Sequence, residues 1–172
     1  MTHGLHDLAR HNAWATAQIL AYCRRLDAAT LQTTVPGTYG TIAEILRHLI
    51  NAEASYLRRL SGAWPALPWP PDDQAGLEVL TERADLLAAT WERFLAGDVD
   101  NERLGEARGD AGEVFAVAHG VFIAQALHHA NEHRAQICTI LGAEGHEPPD
   151  VSAWGYARAT GRSTLKTTSS DA

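Results

Sequence analysis

Apolar residues recur at three- and four-residue steps in four segments of the chain, which is the spacing of helices with one buried face. The predicted helices cover residues 5–26, 41–60, 74–96 and 121–141. All four are long enough to pack along their length against a neighbouring helix. The inward positions predicted for the first helix are Leu8, Ala15, Ile19, Leu20 and Cys23.

Signals for helix ends lie at the borders of these segments. Thr41 and Glu44 have the spacing of a capping box, in which each side chain bonds to the main-chain N–H of the other residue. Gly97 and Gly142 are predicted to end the third and fourth helices, because glycine readily adopts the left-handed conformation that follows a helix.

Long connections separate the second, third and fourth helices. Residues 61–73 include four prolines, so this connection is predicted to be extended and stiff. Its tryptophans, Trp64 and Trp69, would cover a pocket, seal an interface or fill a cleft. Residues 98–120 form a longer connection, in which 113–118 have the composition of a short strand. A long connection allows neighbouring helices to run parallel, as we expect for the second and third.

Composition and charge narrow the class of protein. The chain has 172 residues, of which 45% are hydrophobic and 20% charged, as in an ordinary globular domain. We predict one all-α domain over residues 1–162 and a disordered polar tail over 163–172. A formal net charge of −7 argues against nucleic acid as a partner. With no long apolar run and no signal peptide, the chain is expected to be cytoplasmic and to bind no membrane.

The candidate functional residues of the chain are three histidines. His129 and His133 are four residues apart, so both rings lie on one face of the fourth helix, within its apolar stripe. His48 borders the apolar stripe of the second helix. Neutral imidazoles in a dry interior need hydrogen-bond partners, and one shared divalent metal would serve all three. Three protein ligands leave a position open, as in a catalytic site.

The same residues allow a plainer interpretation, in which His129 and His133 are two surface histidines that bind no metal.

Neighbouring residues have predicted roles if the metal site exists. Glu132 and Gln136 are positioned to orient the ring nitrogens of the ligands. His128 is rotated away from His129 and is expected to face solvent or to pack against a neighbour. Arg134 is most simply a solvated or capping charge.

These residues resemble the DinB/YfiT-like family of metal-binding four-helix bundles. Residues 129–136 fit its H-x3-H-R-x-Q run, and His48 supplies the histidine of the second helix. Residues 11–15 look like the opening N-x-W-A pattern, and 151–162 look like the tail of some members. The resemblance covers nearly the whole chain.

The resemblance implies an up-down-down-up order of helices, with His48, His129 and His133 as metal ligands. Zinc and nickel are the first candidates, followed by iron and manganese. It also implies a homodimer. Many members have a second histidine just before the distal ligand, where this chain has Glu132.

Relatives in this family include bacillithiol transferases and mycothiol-dependent maleylpyruvate isomerase. The resemblance therefore implies a metal-dependent S-transferase, in which a low-molecular-weight thiol occupies the open position and attacks an electrophilic small molecule. Arg47 and Arg134 are candidate contacts for such a thiol. Two alternatives stay open. One is hydrolysis by metal-bound water with Glu53 or Glu132 as general base, and the other is a non-catalytic metal-binding module of the stress response.

Overall fold

The computed structural model describes residues 3–61, 74–109 and 111–166. Six helices and one antiparallel β-hairpin lie in this part of the chain. The helices are α1 (His3–Cys23), α2 (Ala28–Leu31), α3 (Ile42–Ser61), α4 (Leu77–Leu95), α5 (His119–Ala143) and α6 (Ala153–Ala159), and the strands are β1 (Leu104–Arg108) and β2 (Val114–Ala118).

The four long helices, α1, α3, α4 and α5, are the four that the apolar pattern predicts, with ends within about three residues of the predicted ones. α1 packs against α4 and α5, and α3 packs against the same two helices. Their apolar faces meet in one core, whose fully buried residues include Ile19, Ile45, Leu49, Leu57, Leu87, Trp91, Ile137 and Ile140.

One predicted core position of α1 is wrong. Leu8 is 56% exposed, whereas its neighbour Ala9 is buried. Successive helical positions are rotated by about 100°, so a face centred on Ala9 and the buried Asn12 carries Leu8 outside the contact. The inward face of α1 therefore includes a polar residue that the apolar pattern could not indicate.

The capping box at the start of α3 is confirmed. The Thr41 N–H donates to Glu44 Oε2 over 2.8 Å, and the Glu44 N–H donates to Thr41 Oγ1 over 3.2 Å. These bonds satisfy two main-chain donors that a helix start would otherwise leave without partners.

The predicted end of α5 at Gly142 is wrong, because Gly142 lies inside the helix. The helix ends at Ala143, and Gly145 follows with φ at +79°. The N–H of His146 donates to the Leu141 carbonyl over 2.9 Å, which closes the terminus in a Schellman motif. The additional residues lengthen the helix that carries two of the three histidines.

The all-α prediction needs a correction, since the connection before α5 contains the β1–β2 hairpin. The strand expected at 113–118 is confirmed as β2, but its partner β1 was not predicted. Leu104 pairs with Ala118 at one end of the ladder and Arg108 with Val114 at the other. β1 alternates between exposed and half-buried positions, but its half-buried residues are Gly105 and Ala107, so its inward face has no large apolar side chain to mark a strand.

Two short helices, α2 and α6, were also not predicted, because they span too few residues for a periodic pattern. Each begins at a side-chain cap: the Thr30 N–H donates to Asp27 Oδ1, and the Gly155 N–H donates to Ser152 Oγ. α6 packs on α1.

Several predictions lie outside the described residues. The proline-rich connection falls there from residue 62 to 73, with both its tryptophans, and so do residues 167–172 of the predicted tail. Among the described helices, none combines the length and apolar character that a membrane span needs.

The Thr41 cap provides a test of how strongly the start of α3 is held. Replacing Thr41 with alanine removes one hydrogen bond to an otherwise unpaired N–H, so the free energy of unfolding should fall by about 1 kcal/mol. Urea denaturation followed by circular dichroism measures the change. Thr139→Ala, at an exposed position of α5, is the control and should change stability by less than about 0.5 kcal/mol. Equal losses in the two variants would contradict the capping role.

Candidate metal centre

The three predicted histidines come together where α3 faces α5. His48 Nε2 lies 3.1 Å from His129 Nε2, and His133 Nε2 lies 3.2 Å from the same atom. All three nitrogens fall within 4.8 Å of one another. The His133 side of the cluster is buried, while His48 and His129 are half-buried, so the cluster lies at the edge of the core with access from solvent.

Hydrogen bonds among the three histidines cannot account for both of the close contacts between their ring nitrogens. His133 Nδ1 lies 3.0 Å from Gln136 Oε1, and because that oxygen can only accept, the ring hydrogen is on Nδ1 and Nε2 carries a lone pair. His129 Nε2 can then donate to a neighbour or accept from His48, but not both. Only one of the two close contacts can be an unshared hydrogen bond. A cation that accepts a lone pair from each ring removes this conflict.

Gln136 fixes one ring of the cluster. Its Oε1 accepts from His133 Nδ1 and also from the main-chain N–H of Tyr39 over 3.1 Å. The amide oxygen thereby ties the ring of α5 to the turn that precedes α3. A partner of this kind orients an imidazole and leaves its other nitrogen free for a metal.

Two tyrosine rings flank the histidines, and the sequence analysis missed both. Tyr39 stacks on His48 with ring centroids 4.1 Å apart, and its ring is nearly perpendicular to that of His133, with centroids 5.4 Å apart. Tyr56 contacts His129 edge-on at 5.9 Å. No local pattern marks Tyr39, because its anchor, Gln136, is 97 positions away in the chain.

The electrostatics of the site favour neutral imidazoles. Burial, followed by the charge that His133 would carry, lowers the pKa of His129 to about 4. The same two causes lower the pKa of His48. The negative charge of Glu132 opposes the shift at His129 but does not reverse it. Because a metal binds only the neutral ring, protons compete little for these nitrogens at neutral pH.

The donor set fits a divalent transition metal. Zinc binds imidazole nitrogen at about 2.0–2.1 Å, which places two nitrogens of a tetrahedral site about 3.3 Å apart. The two closest pairs, at 3.1 and 3.2 Å, are near that separation. Three imidazoles also suit nickel, copper and iron(II), so the ligand type alone does not select one metal.

Comparison with known families agrees with this site. The DinB family model matches residues 1–167. The chain belongs to the DinB family. No curated protein matches it. Membership and the histidine cluster together support a site that could hold a divalent metal in this DinB-family protein.

The two carboxylates proposed as general bases have different surroundings in this DinB-family chain. Glu132 is exposed and lies 3.4 Å from His128 Nδ1, which is exposed as predicted. Glu53 is only 5% exposed, and its Oε1 accepts from Asn12 Nδ2 and from Trp91 Nε1. Burial raises the pKa of Glu53.

The two candidate cations also differ. Arg47 is half-buried beside Glu44, whose pKa it helps to lower. Arg134 is 2% exposed and donates to Asn12 Oδ1 over 2.7 Å and to Thr16 Oγ1 over 3.0 Å. The expectation of a solvated Arg134 is therefore wrong, because α1 supplies polar partners for the guanidinium inside the core.

We expect His129 in the metal-free protein to titrate near pH 4, as NMR of the ring protons would measure. Its folded pKa lies below the unfolded value of about 6.5, so the metal-free protein should lose stability as pH falls between these values. His133→Ala removes one cause of the shift and should raise the midpoint.

The control for this titration is His146→Ala, which changes a histidine beyond the end of α5 and should leave the His129 midpoint in place. A wild-type midpoint near 6.5 for His129 would contradict the packed arrangement of the three rings.

Proposed function

We propose that this protein is a metal-dependent thiol S-transferase in which His48, His129 and His133 are the metal ligands. The observation that carries the proposal is the convergence of three imidazole nitrogens at a solvent-accessible edge of the core. Three protein donors leave one coordination position for an exogenous ligand, which is the pattern of catalytic rather than structural sites. Zinc or nickel is the expected metal, with iron or manganese next.

A metal at this site would lower the pKa of a low-molecular-weight thiol, so that the thiolate exists at neutral pH. The residues of the chain have supporting roles. Gln136 holds the hydrogen of His133 on Nδ1 and so keeps Nε2 available. The exposed ring of Tyr39, stacked on His48, would form a wall of the space in which the thiol meets its electrophilic acceptor. Arg47 is the candidate contact for acidic groups of the thiol.

We infer the up-down-down-up order for the four long helices. Tyr39, in the turn before α3, bonds to Gln136, whereas Tyr56, near the end of α3, contacts His129, so α3 and α5 run antiparallel. Arg10 of α1 bonds to Glu92, near the end of α4. This contact supports an antiparallel α1–α4 pair.

The domain boundaries and the oligomeric state of the protein are also proposals. We propose one domain over residues 1–162 with a tail over 163–172, and a homodimer as in the resemblance. Leu104, Phe115 and Val121 are exposed apolar residues on the hairpin and α5, and a second copy could cover them.

Metal binding is the first test. His48→Ala, His129→Ala and His133→Ala should each reduce zinc or nickel content from about one ion per chain to near zero, because two imidazoles form a much weaker site. Elemental analysis after dialysis measures the content. His128→Ala, an exposed neighbour on the same helix, should retain the metal. Equal binding by all of these variants and the wild type would refute the ligand assignment.

The reaction is tested with metal-loaded protein, a chlorodinitrobenzene acceptor and a panel of low-molecular-weight thiols, alongside ester and amide substrates. We expect turnover that needs both metal and thiol and is lost in His133→Ala. Thiol-independent ester or amide cleavage that is lost in the same variant would replace the proposal with hydrolysis. Full metal occupancy without turnover on any substrate would replace it with the non-catalytic module.

A further inference from the structure

A group of polar side chains lies inside the core, separate from the histidine cluster. Arg134 of α5 and Glu53 of α3 are 2% and 5% exposed, and Asn12 of α1 is 2% exposed. Charged residues are almost never fully buried unless they are paired. The proposed transfer chemistry does not use these three residues, so their presence in the core needs another explanation.

Asn12 joins the two charged groups. Its Oδ1 accepts from Arg134 Nη1 over 2.7 Å, and its Nδ2 donates to Glu53 Oε1 over 3.1 Å. A guanidinium can only donate and a carboxylate can only accept, so one orientation of the amide serves both. The side chain of Asn12 therefore connects α5 to α3 through α1, and we call these three residues the polar clamp.

The polar clamp acts on the two helices that carry the histidines. Arg134 directly follows His133 in α5, and Glu53 lies five residues after His48 in α3. A rotation of about 100° per residue turns Arg134 toward α1 while His133 faces α3. Hydrogen bonds are directional, so the clamp restricts rotation and sliding of α5 against α3 more tightly than apolar contacts of similar size would.

We propose that Asn12, Glu53 and Arg134 are positioning residues that hold α3 and α5 in the register at which His48 meets His129 and His133. The inference rests on the proposed metal site. In this proposal, the polar residues serve to align the metal ligands rather than to stabilise the fold. Buried charged networks are often no more stabilising than apolar side chains of the same size, so stability alone is a weak reason for such a group.

A variant with apolar residues in place of the polar clamp tests whether the clamp aligns the metal ligands or only stabilises the fold. In the variant Asn12→Leu/Glu53→Met/Arg134→Met, the three polar groups are replaced together, so no charge is left buried without its partner. Thermal unfolding should show a folded protein. Its Kd for Co²⁺, measured by chelator competition, should rise by about tenfold, in line with the loss of a group that orients ligands. The visible absorption of bound Co²⁺, which reports ligand geometry directly, should change in intensity and position.

The matched control is Arg10→Gln/Glu92→Gln. This exposed pair also joins α1 to another helix, with Arg10 Nε 2.7 Å from Glu92 Oε1, but α1 and α4 carry none of the three histidines. The control should keep the wild-type Kd and the wild-type Co²⁺ spectrum.

A second comparison applies if the triple variant does not fold. Glu53→Gln retains an acceptor oxygen for Asn12 and Trp91, so it should bind Co²⁺ as the wild type does. Glu53→Met removes that oxygen and should weaken binding. Equal affinities and spectra for these two variants, or a wild-type Kd and spectrum for the triple variant, would overturn the positioning role and leave the metal site standing. A wild-type protein that binds no Co²⁺ would overturn both the site and this inference.

Discussion

Three imidazole nitrogens that face one another across two helices are the constraint on which the site depends. Each ring nitrogen of the cluster needs a partner, and Gln136 supplies one for His133 only on the outer side of the ring. The requirement extends beyond the cluster, because α3 and α5 must keep a fixed register for the nitrogens to lie 3.1 and 3.2 Å apart. Packing in the core sets the distance between the helices, and directional polar bonds set their rotation.

The parts of this arrangement that could be predicted from the sequence are those that local helical periodicity fixes. The i, i+4 spacing of His129 and His133 places two rings together within one helix, and the apolar stripe places His48 on the inner edge of another. The capping box of Thr41 and Glu44 is equally local. Each of these features depends on residues within one helix or one turn, where backbone geometry alone fixes which side chains meet.

Features that depend on distant partners could not be predicted in this way. Arg134 was expected to be a solvated or capping charge, because the partners that it has in the core, Asn12 and Thr16, are 122 and 118 positions away in the chain. The turn residue Tyr39 was missed for the same reason. Strand β1 was missed for a different reason, since its half-buried positions carry only Gly105 and Ala107, which give no apolar alternation in the sequence.

Arg134 and the two histidines of α5 divide the surface of that helix between two tasks. One face presents His129 and His133 toward α3, and the adjacent face presents Arg134 toward α1. Because α5 is one continuous helix, a rotation that moved one face would break bonds at the other. The cluster therefore has few ways to relax when no cation is bound. Such preorganisation favours a ligand that fits the fixed spacing, because the protein does not have to rearrange to bind it.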